Sequence, residues 1–213
     1  MVWCLGDIVG YGARPNECCA LVEEAAALCL AGNHDLVVSG ALGLEEFSHD
    51  AAAAARWSRS VLTEQAQAFL DPLEPLATAD GVELYHGSPR DPVWEYVLSE
   101  YVALAAFELT SGPLVLVGHS HVALALGLVD GELVGGLAPD GSGASFAEHR
   151  WLLNPGSVGQ PRDGDPRAAY LLLDLAARTA EFRRVDYDVA ATQREIRDAG
   201  LPEVLAARLE RGE

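Results

Sequence analysis

The sequence predicts a mixed α/β fold, and three observations support this prediction. Short apolar runs such as Leu114-Val115-Leu116-Val117 end in a glycine or a polar loop residue, which is typical of buried strands. Longer segments rich in helix-forming residues separate these runs, and the pattern becomes strand-rich after His121. A chain of 213 residues can bury a sizeable core, and no linker or repeat divides it, so we expect one domain, 1–213.

The first third of the chain alternates between predicted strands and helices. A strand is predicted at Val2–Leu5. Pro15 opens a helix that we expect to reach about Leu28, because a missing N–H costs nothing in the first helical turn. Another helix is expected from about Asp50, and Thr63 is a suitable cap for a further turn of helix.

Glycine and proline divide the rest of the chain into further elements. Asp130-Gly131 has the composition of a two-residue hairpin turn. The other predicted elements are strands at 81–85, 114–117, 123–128, 132–137, 150–153, 168–173 and 180–185, a helix at 95–108, a Gly/Ser loop at 139–145 and a helical tail at 189–211.

Composition excludes several classes of function. The formal net charge of −18 leaves no basic stripe that could neutralise a nucleic-acid backbone, although a small phosphate substrate remains compatible with bound cations. The four cysteines all lie near the start and lack C-x-x-C spacing, which favours thiols in a reducing compartment. No signal peptide or long apolar segment is present, so we expect a cytoplasmic protein without membrane attachment.

The strongest chemical signal is His119-Ser120-His121, directly after a strand and Gly118. Residues i and i+2 of an extended segment project to the same side, roughly 6–7 Å apart. That reach suits two neighbouring metal ions, which lie about 3.5–4 Å apart in binuclear sites.

Three other ligand-type residues follow apolar strands in the same way, namely Asp7, Asn33 and His86. Side chains at the carboxyl ends of strands converge in a crevice. Together with the two histidines they form a nitrogen and oxygen donor set suited to Mn, Fe, Zn or Ni. His34 could protonate a leaving oxygen, and Asp35 could fix its tautomer.

Each of these residues also has a structural interpretation. Gly6-Asp7 is common turn chemistry, and Asn33 could cap a helix. His86 could be a core histidine bonded to the backbone. Their joint occurrence, each behind a strand, favours the functional interpretation.

Four short motifs in this order resemble the calcineurin-like metallophosphoesterase superfamily: Gly6-Asp7, Gly32-Asn33-His34-Asp35, His86-Gly87 and Gly118-His119-Ser120-His121. Three longer pieces resemble its small bacterial and archaeal branch, namely the segments from Gly6 to Gly12, from His86 to Asp91 and from Asn154 to Arg162. The resemblance covers nearly the whole chain. It implies a four-layer αββα sandwich of two mixed sheets flanked by helices, with a binuclear metal centre at one rim.

The resemblance also implies a role for each matching residue. Asp7 would bridge two divalent metal ions, with manganese the first choice. Asn33, His86 and His119 would complete the shell of one metal, and His121 would bind the other. His34, supported by Asp35, would be the acid or transition-state donor.

One departure from the family pattern concerns the start of the chain. The family opens with a strand ending in Asp-x-His, which holds the first metal, whereas here Met1 directly precedes the strand before Asp7. We therefore expect the chain to lack a strand and helix of roughly 30 residues, which would leave one metal site incomplete.

The implied activity is hydrolysis of a small phosphate ester, with nucleotides among the candidate substrates, by water activated at the two metals. Arg90 and Arg162 are candidate phosphate contacts, since guanidinium forks match phosphate oxygens; alternatively they pair with Asp91 and Asp163. Two other functions stay open: a metal- or phosphate-binding scaffold without turnover, and a subunit of a larger assembly. Homo-oligomerisation is also left open.

Overall fold

A computed structural model describes all residues from 1 to 213. The strands, in chain order, are β1 (Val2–Cys4), β2 (Ala26–Cys29), β3 (Leu76–Ala79), β4 (Val82–Tyr85), β5 (Leu114–Val117), β6 (Ala123–Val129), β7 (Glu132–Leu137), β8 (Gly143–Ser145), β9 (Arg150–Pro155), β10 (Ala168–Asp174) and β11 (Thr179–Val185). The helices are α1 (Pro15–Ala25), α2 (Asn33–Ser39), α3 (His49–Val61), α4 (Glu64–Leu70), α5 (Glu100–Leu109), α6 (Val189–Asp198) and α7 (Glu203–Ala207), and a 3-10 turn follows at Arg208–Glu210.

The chain forms two compact units. The first unit comprises Met1–Pro75 and Asp188–Arg211, and the second comprises Leu76–Tyr187 and Gly212–Glu213. The expectation of one domain over the whole chain stays a prediction.

In the first unit, β1 and β2 form a parallel pair in which Cys4 lies opposite Cys29. This pairing ends α1 at Ala25, three residues before the predicted end at Leu28. Alanine and leucine favour a helix locally, but the hydrogen bonds to β1 outweigh that preference.

The helices of the first unit begin where the sequence supplies caps. The Ser48 hydroxyl accepts a hydrogen bond from the Ala51 N–H at 3.3 Å, and the Thr63 hydroxyl accepts one from the Ala66 N–H at 3.2 Å. The C-terminal helices pack on α3 in a core whose buried members are Ala54, Ile196, Leu201, Leu205, Ala206 and Leu209.

The second unit is built on a six-stranded sheet with the order β3-β4-β5-β9-β6-β7. The neighbours β4, β5 and β9 run parallel, and the outer pairs are antiparallel, so the sheet is mixed. The carboxyl ends of the three parallel strands therefore lie at the same edge, where their following loops meet.

Helix α5 packs against this sheet, and Phe107 belongs to the same buried core cluster as Val115 and Leu152. The helix begins at Glu100 and not at residue 95, because the Ser99 hydroxyl caps it by accepting from the Val102 N–H at 3.3 Å. The segment between β4 and Ser99 therefore forms a loop and not a helix.

Two hairpins of the second unit confirm the predicted strand pairs. Asp130 (φ 51°) and Gly131 (φ 87°) both have the left-handed conformation that a two-residue hairpin turn needs. Strands β10 and β11 also form an antiparallel pair, and β8 extends this pair to a three-stranded antiparallel sheet. This third strand lies in the predicted Gly/Ser loop and was missed because it is only three residues long.

The prediction of a mixed α/β fold in which helices flank mixed sheets is confirmed. None of the helices combines the length and the apolar character needed to cross a membrane.

Candidate functional site

The first unit places Asp7 in a loop directly after β1, with a left-handed backbone at φ 56°. The buried carboxylate of Asp35 holds this loop. Its Oδ2 accepts from the Asp7 N–H at 2.7 Å, and its Oδ1 accepts from the Ile8 and Val9 N–H groups at 2.9 and 3.1 Å. Oδ2 also accepts from the Gly32 N–H at 2.8 Å. One side chain therefore joins the loop after β1 to the loop after β2.

The two loops approach so closely that only glycine fits at the contact. A Cβ on Gly32 would lie 2.0 Å from Oδ1 of Asp7, and a Cβ on Gly6 would lie 2.5 Å from the Gly32 nitrogen. Gly6 also has φ 90°, a conformation that other residues rarely adopt. The glycines in the two motifs are therefore explained by the position of the Asp7 carboxylate.

Asn33 and His34 begin α2 and are both 4% exposed. Gly32 occupies the N-cap position, so Asn33 is the first helical residue and not the cap. The His34 N–H donates to Oδ1 of Asp7 at 3.0 Å, and the His34 ring packs between Tyr11 and Phe47, with centroids 4.3 and 4.6 Å away. The aromatic rings fix the imidazole in one orientation.

The environment of Asp35 differs from the one predicted. The sequence suggests that Asp35 sets the tautomer of His34, but the hydrogen bonds of its carboxylate come from backbone N–H groups. Burial raises the pKa of Asp35 well above its ordinary value, and the charge of Asp7 adds to the increase. The backbone N–H groups act in the opposite direction because they stabilise the carboxylate. Asp35 is thus a residue that positions the Asp7 loop.

The second unit places its histidines at the ends of the adjacent parallel strands β4 and β5. His86 directly follows β4, and the loop from Gly118 to His121 follows β5. The Gly118 N–H donates to the His86 carbonyl at 2.8 Å, which keeps the two loops side by side. His119 and His121 both have φ 59°. Strained backbone of this kind at two non-glycine residues of one loop is typical of functional sites.

His86 and His119 lie with their ring nitrogens close together, His86 Nε2 being 3.3 Å from His119 Nδ1. Nε2 of His119 lies 3.1 Å from the Trp94 carbonyl oxygen. A carbonyl can only accept a hydrogen bond, so Nε2 of His119 carries the proton and its Nδ1 presents a lone pair towards His86. Two imidazole nitrogens at this separation can share a proton or bind a cation.

His121 is oriented by a backbone carbonyl in the same way. Its Nδ1 donates to the Gln160 carbonyl oxygen at 2.7 Å, so Nε2 has the lone pair. The Arg162 N–H donates back to the His121 carbonyl at 3.0 Å. Metal-binding histidines commonly donate the other ring N–H to a carbonyl in this manner.

Asn154, near the end of β9, supports the histidine loop. Its buried side-chain amide donates to the Gly118 carbonyl at 2.6 Å and to the Ser120 hydroxyl at 3.0 Å. Its own oxygen accepts from the Gly156 N–H at 2.9 Å. The third parallel strand therefore contributes a clamp on the loop.

The predicted phosphate contacts are engaged with neighbouring side chains. Arg90 forms an ion pair with Glu95, and its guanidinium lies 5.4 Å from the Tyr101 ring centroid. Arg162 donates to the side-chain oxygen of Gln160 at 2.9 Å. The alternative partner Asp91 instead caps the following turn through the N–H groups of residues 93 and 94.

Several further residues of this site are not among those predicted from the sequence. Tyr96 stacks on the His119 ring with centroids 4.1 Å apart and an angle of 3°. The predicted helix at 95–108 includes Tyr96 and Glu95, which hides their roles in a loop. The carbonyl of Trp94 lies just before that predicted helix and has no signature in the sequence. Asn154 begins the segment from Asn154 to Arg162 that resembles the family, so the sequence did indicate that it is part of the site.

The loops of each unit present side chains of types that bind divalent cations. The first unit supplies the carboxylate of Asp7 and the amide of Asn33, and the second supplies imidazole lone pairs at His119 and His121, with His86 beside them. Carboxylate, amide oxygen and neutral imidazole suit Mn, Fe, Zn or Ni, and the fixed tautomers present the lone pairs without rearrangement.

Comparisons with known proteins agree with this chemistry. Residues 1–178 match the model of the calcineurin-like phosphoesterase superfamily domain. The crystal structure of a metallophosphoesterase from Sphaerobacter thermophilus superposes with a TM-score of 0.88 at 40% identity, over 99% of this chain and 87% of that chain. An uncharacterized protein from Methanocaldococcus jannaschii is 37% identical over 98% of this chain and 85% of its own length.

A hypothetical protein from Pyrococcus horikoshii shares the fold, with a TM-score of 0.78 at 18% identity over 99% of this chain and 84% of that chain. The family match covers most of the chain, and the loops described above lie within the matched residues. The chain belongs to the calcineurin-like phosphoesterase superfamily.

Proposed function

We propose that this protein is a metal-dependent phosphoesterase that hydrolyses a small phosphate ester, with two divalent cations held by Asp7, Asn33, His86, His119 and His121. Family membership supports the reaction class. The observation that carries the assignment of ligands is the orientation of His119 and His121. Each donates one ring N–H to a backbone carbonyl, so the other ring nitrogen keeps its lone pair.

The cations would polarise the phosphate oxygens and lower the pKa of water. Residues of the chain hold the ligand loops in place and supply the proton donor. Asp35 holds the Asp7 loop, and Asn154 holds the histidine loop. His34, fixed between two aromatic rings, donates a proton to the leaving oxygen. Arg162 is the better candidate for a phosphate contact, because its partner Gln160 is neutral, whereas Glu95 neutralises the charge of Arg90.

Manganese is the first cation to test, and nucleotides are candidate substrates. A cytoplasmic location and the absence of membrane and nucleic-acid partners are part of the same proposal. The large negative charge of −18 is compatible with a small anionic substrate only where cations neutralise it locally.

The test combines turnover with metal content. The protein should release nitrophenol from a nitrophenyl phosphate ester in the presence of Mn²⁺, and chelation should abolish the release. His34→Ala should lower kcat by about 10²–10⁴-fold, the usual contribution of a proton donor, while the bound Mn²⁺ measured by elemental analysis stays constant. His121→Ala should reduce the bound Mn²⁺.

His49→Ala is the matched control, because the His49 side chain is 94% exposed and outside the site. It should change neither turnover nor metal content. Metal binding without turnover of any phosphate ester would favour the scaffold alternative. Loss of metal in His34→Ala would make His34 a ligand.

A further inference from the structure

Two cysteines that the site does not use face each other across the parallel strands of the first unit. Cys4 ends β1 and Cys29 ends β2, and they are direct partners in the register of the pair. Partner residues on adjacent strands project to the same face of a sheet. Both residues are half-buried, whereas Cys19 is buried.

The separation of such partners suits a covalent bond between them. Adjacent strands lie about 4.7–4.9 Å apart, and disulfide-bonded cysteines have Cα atoms about 4.4–6.8 Å apart. Little backbone movement is therefore needed to join Cys4 and Cys29.

We propose that Cys4 and Cys29 are a redox modification site, which a peroxide converts reversibly into a disulfide. The Cys4 thiolate attacks a peroxide oxygen, and the O–O bond breaks to leave a sulfenic acid on Cys4 and release hydroxide or alkoxide. The Cys29 sulfur then attacks the Cys4 sulfur, the S–S bond forms, and water leaves. The two thiols lose two electrons and two protons, and the peroxide gains them. Two equivalents of a small thiol reverse the reaction.

The pKa values of the two thiols are shifted in opposite directions, as these steps require. Hydrogen bonding with Cys29 lowers the pKa of Cys4, against the effect of burial. The same contact, together with burial, raises the pKa of Cys29. Burial raises the pKa of Cys19 to about 12. Cys4 is thus the more reactive thiol, because the thiolate is the nucleophile.

The modified strands lead directly into the site. Cys4 is three residues before Asp7, and Cys29 is four residues before Asn33. The following loops already touch at Gly6 and Gly32 with no space for a Cβ. A bond between the strand ends would therefore form beside the contact that positions the Asp7 loop.

The experiment maps the bond and does not depend on phosphoesterase activity. The intact protein is treated with hydrogen peroxide, remaining thiols are alkylated, and the protein is cleaved after glutamate. The cleavage separates Cys4 in peptide 1–17, Cys18 and Cys19 in peptide 18–23, and Cys29 in peptide 25–45. Peptides 1–17 and 25–45 should appear joined, with a mass lower by two hydrogens than the sum of the two.

The thiol count under denaturing conditions should fall from four to two and return to four after treatment with dithiothreitol. Cys29→Ser should stop the cross-link and leave a sulfenic acid on Cys4 that dimedone traps, whereas Cys18→Ser, which alters an exposed thiol outside the pair, should leave the cross-link unchanged. Oxidation that joins Cys4 to Cys18 or Cys19, or that leaves Cys4 and Cys29 as thiols after Cys18 has reacted, would overturn the proposal.

Discussion

The substitution Asp35→Asn tests how this chain holds the candidate ligand Asp7 in place. The two side chains have the same shape, so packing is preserved. The carboxylate accepts four hydrogen bonds from backbone N–H groups, two at each oxygen. The amide keeps one acceptor oxygen and replaces the other by an NH₂ donor that faces two N–H groups.

The expected cost follows from those two N–H groups. Each buried donor left without an acceptor costs about 1–3 kcal/mol. Removal of a buried negative charge offsets part of this, because burial and the charge of Asp7 disfavour the ionised form of Asp35. We therefore expect Asp35→Asn to lower the free energy of unfolding by about 2–4 kcal/mol.

Urea unfolding followed by circular dichroism measures this loss. Asp198→Asn is the matched control, since Asp198 is exposed at the end of α6 and should change the free energy of unfolding by less than about 0.5 kcal/mol. The bound Mn²⁺ should also fall in Asp35→Asn, because the Asp7 loop loses its support. A loss of stability in Asp35→Asn no larger than in the control would refute the reasoning.

Two other changes test the second unit. The side chains of Arg184 and Asp163 form an ion pair and are each 5% exposed, so Arg184→Met should lower the free energy of unfolding by about 3–5 kcal/mol by leaving a buried carboxylate uncompensated. Combined with Asp163→Asn it should cost less, and an equal cost in urea unfolding would contradict the ion-pair explanation. Gly131→Ala should cost about 1–2 kcal/mol, because φ is 87° and the space around Gly131 is open. Gly159→Ala, with open space and no positive φ, should be near neutral in the same assay, and equal losses would show that backbone strain is not the cause.

The parts of the fold that the sequence predicted are those with a local cause. Strand β5 is apolar at every position, the turn at Asp130-Gly131 requires left-handed residues, and Thr63 caps α4. The wrong boundaries have non-local causes. Residues 26–29 have helical propensity but pair with β1, and β8 forms only because β11 is beside it.

The candidate ligands could be proposed from sequence because each ligand-type residue follows an apolar strand within a few residues, and this relation is local. The groups that orient them could not be identified in that way. His119 and His121 are fixed by the carbonyls of Trp94 and Gln160, which are 25 and 39 residues away, and a carbonyl has no signature in the sequence. Asp35 shows the same limit, since its partners are N–H groups up to 28 residues away. Side-chain chemistry therefore predicts which residues can bind a cation, whereas the backbone of distant loops decides which ring nitrogen is available to do so.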